Sequence, residues 1–366
     1  MDVERADQAG ETRMKRTEAA GVRQGSARGQ EQTIIDSLKD PRSENMTKKL
    51  VLVTGAGGFI GHHLTKYLMR RGYQVRGVDI KAPEYEASPA DEFLQLDLRL
   101  ESACQTATAG AEEVYHLAAD MGGIGYITSQ HAGITLNNTL INVHMLKAAH
   151  ENGVSRFLFS SSACIYPQHL QSKPDIVPLR EEDAFPADPE EGYGLEKLYM
   201  EKLCQYFSED WGFPTRVVRF HNVYGPLGTY DGGREKAPAA ISRKVAAAAD
   251  GGTIDIWGDG QQTRSFLYID ECVEGTLRLM RSDFSGPVNI GSDEMVSING
   301  LAEMIMGIAE KPLGINNIPG PTGVRGRNSD NRLIREKLGW APQRSLAEGL
   351  APTYRWIERQ LLRNAA

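Results

Sequence analysis

The chain has 366 residues, 40% of them hydrophobic and 24% charged, with a formal net charge of −7. That length accommodates about two domains around a sizeable core, and the acidic balance excludes nucleic acid as the main partner, which needs a basic footprint. No apolar run reaches the roughly 20 residues of a membrane span, so no membrane association is expected, and the N-terminus lacks the apolar core of a signal peptide.

Residues 1–48 are polar and mixed in charge, without sustained apolar periodicity. They are expected to form a disordered N-terminal extension, and Met46, just before the first strong strand, is a candidate translation start. From Leu50 the pattern alternates strand and helix. Leu50–Thr54 is a short apolar run ending in Thr54-Gly55-Ala56-Gly57-Gly58-Phe59-Ile60-Gly61. Gly55, Gly58 and Gly61 let the backbone approach a pyrophosphate closely. The helix that follows, opening around Phe59 and Ile60, offers N–H donors and a positive dipole end. Ile60, Leu64, Tyr67 and Leu68 share one face of that helix, and Gly72 stops it.

Further strands are expected at Gln74–Asp79, 93–98, 113–118, 156–161, 215–221 and Val288–Ile290, with helices between most of them. The alternation predicts an α/β fold, a Rossmann-type doubly wound parallel sheet with a smaller C-terminal substrate-binding region. Asp79 ends the second strand, where a carboxylate accepts hydrogen bonds from both adenosine ribose hydroxyls and repels a 2′-phosphate. The cofactor expected is therefore NAD. Asp97 ends the next strand, within reach of an adenine amino group. Residues 49–222 are read as the NAD-binding domain. Beyond residue 223 glycine, proline and charge increase, and residues 223–366 are expected to bind substrate mainly, returning one or two strands to the main sheet.

The chemistry concentrates at later strand ends. Ser160-Ser161-Ser162-Ala163-Cys164-Ile165-Tyr166 leaves one strand, and Tyr193-Gly194-Leu195-Glu196-Lys197 opens a helix. Tyr193 and Lys197, four apart, share a helix face. A lysine ammonium there is expected to lower the tyrosine pKa, so that the phenolate can accept a proton from a substrate hydroxyl while hydride leaves the same carbon. Ser162 would hydrogen-bond that hydroxyl. Cys104, Cys204 and Cys272 read as small buried hydrophobes. The scattered cysteines lack any CxxC pair and suit a reducing cytoplasm. The histidines show no metal spacing, so no metal is expected. Trp257 is expected in the core.

These motifs, with Arg219-Phe220-His221-Asn222-Val223-Tyr224-Gly225-Pro226, resemble those of the extended short-chain dehydrogenase/reductases that act on nucleotide sugars. The resemblance spans about residues 49–360. Within that group the 4,6-dehydratases carry an acidic pair where this chain has Ala163-Cys164, and 4-epimerases carry Thr or Ser at the second place. Ser161-Ser162-Ala163-Cys164-Ile165-Tyr166 is similar instead to the GDP-mannose 3,5-epimerase family. Gly232-Gly233-Arg234-Glu235-Lys236-Ala237-Pro238 resembles that family's lysine-bearing loop. Ala119-Asp120-Met121-Gly122-Gly123 resembles its sugar-side loop.

The resemblance implies oxidation of GDP-α-D-mannose at C4, inversion at C5 and C3, and re-reduction to GDP-L-galactose, with GDP-L-gulose from C5 inversion alone. It makes Cys164 the base and Lys236 the acid. A nearby Lys236 ammonium would lower the thiol pKa from about 8.5 and itself stay protonated. Gly122, Ser162, Ala163, Asn222, Glu235, Gln262, Arg264 and Arg327 fall among the implied substrate contacts, with Lys244 a weaker phosphate candidate. The resemblance also implies a homodimer, for which stretches 135–152 and 196–211 are candidates. Rival readings are a nucleotide-sugar 4-epimerase, a 4,6-dehydratase or a non-catalytic NAD-binding scaffold.

Overall fold

A computed structural model describes residues 49–365; the extension expected at 1–48 and its candidate start at Met46 lie outside the described residues. In chain order the first half runs β1 (Leu50–Thr54), α1 (Phe59–Arg70), β2 (Gln74–Asp79), β3 (Glu92–Gln95), α2 (Glu101–Thr108), β4 (Glu113–His116), a single turn α3 (Ile124–Ile127), α4 (His131–Glu151), β5 (Arg156–Ser162), α5 (Tyr193–Trp211) and β6 (Thr215–Phe220). The second half runs β7 (Val223–Tyr224), α6 (Ala237–Ala247), β8 (Thr253–Trp257), β9 (Thr263–Ser265), β10 (Leu267–Tyr268), α7 (Ile269–Arg281), β11 (Val288–Ile290), β12 (Met295–Ser297), α8 (Ile298–Ala309), β13 (Gly314–Ile318), β14 (Gly326–Arg327), α9 (Arg332–Leu338) and α10 (Leu346–Ala365).

Seven strands form one parallel sheet in the order β11-β6-β5-β4-β1-β2-β3. This is the doubly wound arrangement expected from the sequence, with its switch point between β1 and β4. Of the one or two strands expected back from the second half, one returns, β11. The central strands are apolar along their length because helices cover both faces. In β1, Val51 and Val53 enter one core with Leu64 and Leu68 of α1, while Leu52 enters the other with Val114, Phe157 and Phe159. Small sheets carry the rest: β12-β9-β14, β13-β8 and β10-β7.

Three strands stop short of expectation, β6 by a single residue, at Phe220, and two by more. β4 ends at His116 because the next two amides, of Leu117 and Ala118, donate to the Thr54 hydroxyl at 3.1 and 3.2 Å and leave the ladder. β3 ends at Gln95, just before Asp97 turns onto Arg99. Trp257 is not core; it is 44% exposed. β8 pairs only with β13, and strict alternation buries Ile254 and Ile256 while turning Thr253, Asp255 and Trp257 outward.

Two buried histidines make the fold acid-sensitive. His116 shares hydrogen bonds of 2.8 Å with Thr54 Oγ1 and with Asn142 Oδ1, and His221 shares one of 3.0 Å with Asn289 Oδ1. Burial holds both pKa values down to about 3. Above pH 6.5 the imidazoles are neutral in both states. Below it the unfolded chain gains protons that the native site refuses, so stability falls as pH drops from 6.5 toward 3. Between pH 6.5 and 5, above the carboxylate range, the two together are expected to remove about 2–3 kcal/mol per pH unit. Urea unfolding midpoints measured across that window check this; a flat profile would refute neutral burial.

Candidate active site

The glycine turn is built for close approach. Gly55 has φ +71°, and a Cβ on Gly61 would lie 2.1 Å from the Gly55 carbonyl oxygen. The sequence reading singled out Gly55, Gly58 and Gly61, but Gly57 is as tightly held: its Cβ would lie 2.2 Å from Lys81 O. Its amide donates to Asp79 Oδ2 at 3.0 Å, while the Lys81 amide donates to Oδ1 at 3.2 Å. Asp79 thus pins the turn to the end of β2, and burial raises its pKa. Phe59 and Ile60 open α1 directly after Gly58. An open cleft beside this turn is lined by Gly57, Gly58, Phe59, Lys81, Tyr85 and Leu227 among others. A backbone cradle that a Cβ would fill, a helix N-terminus and an acid at the next strand end together fit a dinucleotide. Asp97 lies near this end, but both its oxygens are held by Arg99 at 2.6–3.1 Å, which keeps its pKa low.

The catalytic candidates meet at the ends of β5 and the start of α5. Lys197 is fully buried, its Nζ donating to Ser160 O at 3.0 Å and lying 5.6 Å from the Tyr193 ring centroid. Ser162 Oγ accepts from the Cys164 amide at 3.2 Å, and its hydroxyl acts on the Tyr193 phenol in the direction that eases ionisation. Cys164 sits in the single helical turn Ala163–Ile165, beside the buried Ala163. Lys236 occupies the N-cap position of α6, without a side-chain cap, and the Cys164 thiol bears on its charge.

The charge balance here differs from expectation. Burial raises the pKa of Tyr193 well above its ordinary value, with Cys164 and Glu196 adding to the rise, and Lys197 does not reverse this. Burial also raises Cys164, and the cation that opposes the rise is Arg327, whose Nη1 lies 3.4 Å from the sulfur. The Lys236 ammonium is pushed down by burial, with Cys164 acting against that shift. In a site this dry, loss of hydration outweighs the neighbouring charges.

The remaining candidates divide. Arg264 faces the Cys164–Glu190–Arg327 group; burial lowers its pKa to about 9, and it donates to the carbonyls of Thr263, Thr322 and Val324 at 2.6–3.1 Å. Arg327 also donates to Gln171 Oε1 at 2.6 Å. Gln262 donates to Trp257 O at 3.0 Å and keeps a buried, unpartnered Oε1. Asn222, at φ 40°, donates to Ser265 O at 2.9 Å. Glu235 caps its own loop by accepting from the Gly233 amide at 2.7 Å. Lys244 is not brought to the cluster; its Nζ is taken by Asp255 O at 2.6 Å.

Gly122 packs under Tyr126, which is clasped from the lysine-bearing loop. Arg234 lies 3.8 Å over the Tyr126 ring and 3.4 Å from Asp120 Oδ1, and its carbonyl accepts from the Gly123 amide at 3.0 Å. The 119–123 and 232–238 loops are therefore one clasped unit. Glu190 and the Arg234–Tyr126 stack were not anticipated, because no motif spacing marks them.

A doubly wound parallel sheet, a glycine turn shaped for a pyrophosphate and a Ser–Tyr–Lys group at adjacent strand ends define an enzyme of the extended short-chain dehydrogenase/reductase type. The chain belongs to the NAD dependent epimerase/dehydratase family, whose model matches residues 51–291. Among curated relatives, a GDP-mannose 3,5-epimerase of Arabidopsis thaliana is 53% identical over 326 residues, covering 88% of this chain and 85% of that protein. GDP-mannose 3,5-epimerase 1 of Oryza sativa subsp. japonica is 54% identical over 316 residues, covering 86% and 83%. Among solved structures, UDP-glucose 4-epimerase of Thermotoga maritima with UDP-glucose aligns at TM-score 0.76 and 27% identity, over 85% of this chain and 99% of that one. UDP-glucuronic acid 4-epimerase of Bacillus cereus, in complex with UDP-glucuronic acid and NAD, aligns at 0.73 and 26%, over 85% and 100%.

Proposed function

We infer that the chain converts GDP-α-D-mannose to GDP-L-galactose by inversion at C5 and C3, with GDP-L-gulose as the product of C5 inversion alone. The observation that carries this reading is Cys164, set between Ser162, Tyr193, Lys236 and Arg327 in a chain 53% identical to a GDP-mannose 3,5-epimerase. NAD, when bound, would supply reversible hydride transfer at C4. Gly55, Gly58, Phe59, Ile60 and Gly61 would hold its pyrophosphate and Asp79 its ribose, with Asp97 the candidate on the adenine side.

The chain's own residues do the proton work. Tyr193 takes the C4 hydroxyl proton, Ser162 orients that hydroxyl, and Lys197 stabilises the phenolate. The C4 ketone acidifies the hydrogens at C5 and C3. Cys164 removes each as a proton from one ring face and Lys236 delivers one to the other. Arg264, Arg327, Gln262 and Asn222 flank the diphosphate and sugar, with residues 223–366 mainly binding the nucleotide sugar and 49–222 the cofactor. Incubation with GDP-mannose in D₂O, followed by proton NMR, tests this: H5 and H3 signals are expected to disappear as new GDP-hexose resonances grow. Exchange at neither carbon overturns it.

The chain is proposed to act as a cytoplasmic homodimer. Four free thiols suit a reducing compartment, and among the described residues no helix is long and apolar enough to cross a membrane. Leu195, Tyr199 and Tyr206 of α5 and Leu136 of α4 stand 48–62% exposed on two helices that pack together. Burying such side chains contributes about 1.5–3 kcal/mol each. Tyr199→Glu combined with Leu195→Glu is expected to convert dimer to monomer in sedimentation velocity. An unchanged sedimentation coefficient would move the interface elsewhere.

A further inference from the structure

Cys164 is flanked by an acidic residue as well as by a cation. Its carbonyl oxygen accepts from the Glu190 amide at 3.0 Å, and the Glu190 carboxylate acts on the thiol as a neighbouring negative charge. Glu190 Oε2 is 4.0 Å from Nη2 of Arg327, whose Nη1 points at the sulfur from 3.4 Å. Both side chains are largely shielded, at 18% and 9% exposure. Gly194 permits the approach: a Cβ there would lie 2.3 Å from Cys164 O and 3.1 Å from Glu190 Cβ.

We propose that Glu190 is a positioning residue for Cys164: its amide fixes the Cys164 carbonyl, and its carboxylate, facing the Arg327 guanidinium across 4.0 Å, opposes that cation and so sets how readily the thiol ionises. As a role in catalysis this rests on the reading of Cys164 as the base at C5 and C3. The other groups facing the sulfur are Ser162 and Tyr193 on the β5 and α5 side, Lys236 at the start of α6 and Arg264 on β9. Glu190 disfavours the thiolate, while Arg327 and Ser162 favour it. Removing the carboxylate therefore leaves Arg327 less opposed, and the thiolate gains. Glutamine is the informative substitute, because it keeps the size and an acceptor for Arg327 while removing the charge.

The experiment follows alkylation of Cys164 by iodoacetamide against pH in the full-length NAD-loaded protein, read by peptide mass spectrometry. Cys164 is 8% exposed whereas Cys104, Cys204 and Cys272 are 0% exposed, so the labelled peptide identifies the site. Glu190→Gln is expected to lower the alkylation midpoint by about 0.5–1 pH unit, the size of a partly screened neighbouring charge. Glu191→Gln, which removes an exposed charge one residue away, leaves it in place. If Glu190→Gln does not fold, Glu190→Ala takes its place with the same expected direction. A midpoint that stays or rises overturns the role of Glu190. The H5 exchange rate is expected to show the same alkaline-to-neutral shift of its pH profile. A lowered thiol midpoint in a protein that exchanges neither H5 nor H3, even unmutated, supports Glu190's control of the thiol and overturns the substrate assignment instead.

Discussion

Cys164→Ala is expected to slow deuterium uptake at C5 and C3 of GDP-mannose by about 10²–10⁴-fold, the usual contribution of a positioned proton-transfer group. The reason is local. Of the four cysteines only Cys164 lies in the group formed by Ser162, Tyr193, Arg327 and Glu190. Among the described residues, no other side chain touching that group combines a polarizable base with a position one turn beyond β5. The fold has little stake in it, since a cysteine-to-alanine change removes one sulfur from the edge of a small cluster with Ile127, Ile134 and Tyr193. Stability and NAD retention should therefore stay close to those of the unmutated protein, which separates this variant from a merely misfolded one. Cys164→Ser is expected to fall nearly as far, because a hydroxyl is a much weaker acid than a thiol at the same place. A variant that kept more than about a tenth of the exchange rate would be far outside that range and would remove Cys164 as the base. The reading would then shift toward a 4-epimerase, which needs no C–H base.

What the sequence disclosed and what it withheld divide along a physical line. The seven-stranded sheet was legible because strands buried on both faces must be apolar along their length, as in Leu50–Thr54, and because the turn after them must be glycine. Tyr193 and Lys197 were legible because a helix brings positions four apart together. The ends of β3 and β4 were not, since they depend on which acceptor a particular amide finds, as with the Thr54 hydroxyl and the amides of Leu117 and Ala118. Trp257 was misplaced by its size, although the alternation in Thr253–Trp257 already put it opposite Ile254 and Ile256.

The directions of the pKa shifts were misjudged because a sequence lists neighbouring charges but not dehydration. At Tyr193 and Cys164 dehydration is the larger effect. Glu190 was invisible for another reason. Its place beside Cys164 follows from the loop before α5 folding back on the Cys164 carbonyl, a contact with no periodicity. Arg327, expected among the substrate contacts, points its Nη1 at the Cys164 sulfur from 3.4 Å.

Arg219→Met is expected to destabilise the fold by about 3–5 kcal/mol, the cost of stranding a buried partner charge. Arg219 is 2% exposed on β6. It donates to both Glu201 oxygens at 2.7–3.2 Å, to the Tyr166 hydroxyl at 3.1 Å and to Glu181 O at 2.7 Å. Glu201 also accepts from the Ser161 hydroxyl, and Tyr166 donates to Asn289 Oδ1 at 2.6 Å on β11. One guanidinium thus ties β6 to α5, to the Ser161–Tyr166 segment that bears Ser162 and Cys164, and through Tyr166 to the last strand of the sheet. Methionine keeps the bulk but leaves Glu201 buried without its cation. Adding Glu201→Met removes the stranded charge, so the double variant should recover much of the loss. Urea unfolding of the two single variants and the double variant measures the coupling. A double variant whose loss equals the sum of the two single losses would show that the pair does not act as a unit. Because the same network holds the turn carrying Cys164, the recovered double variant is still expected to exchange H5 more slowly than the unmutated protein. A double variant with full stability and full exchange would mean that the Cys164 turn holds its shape without the arginine.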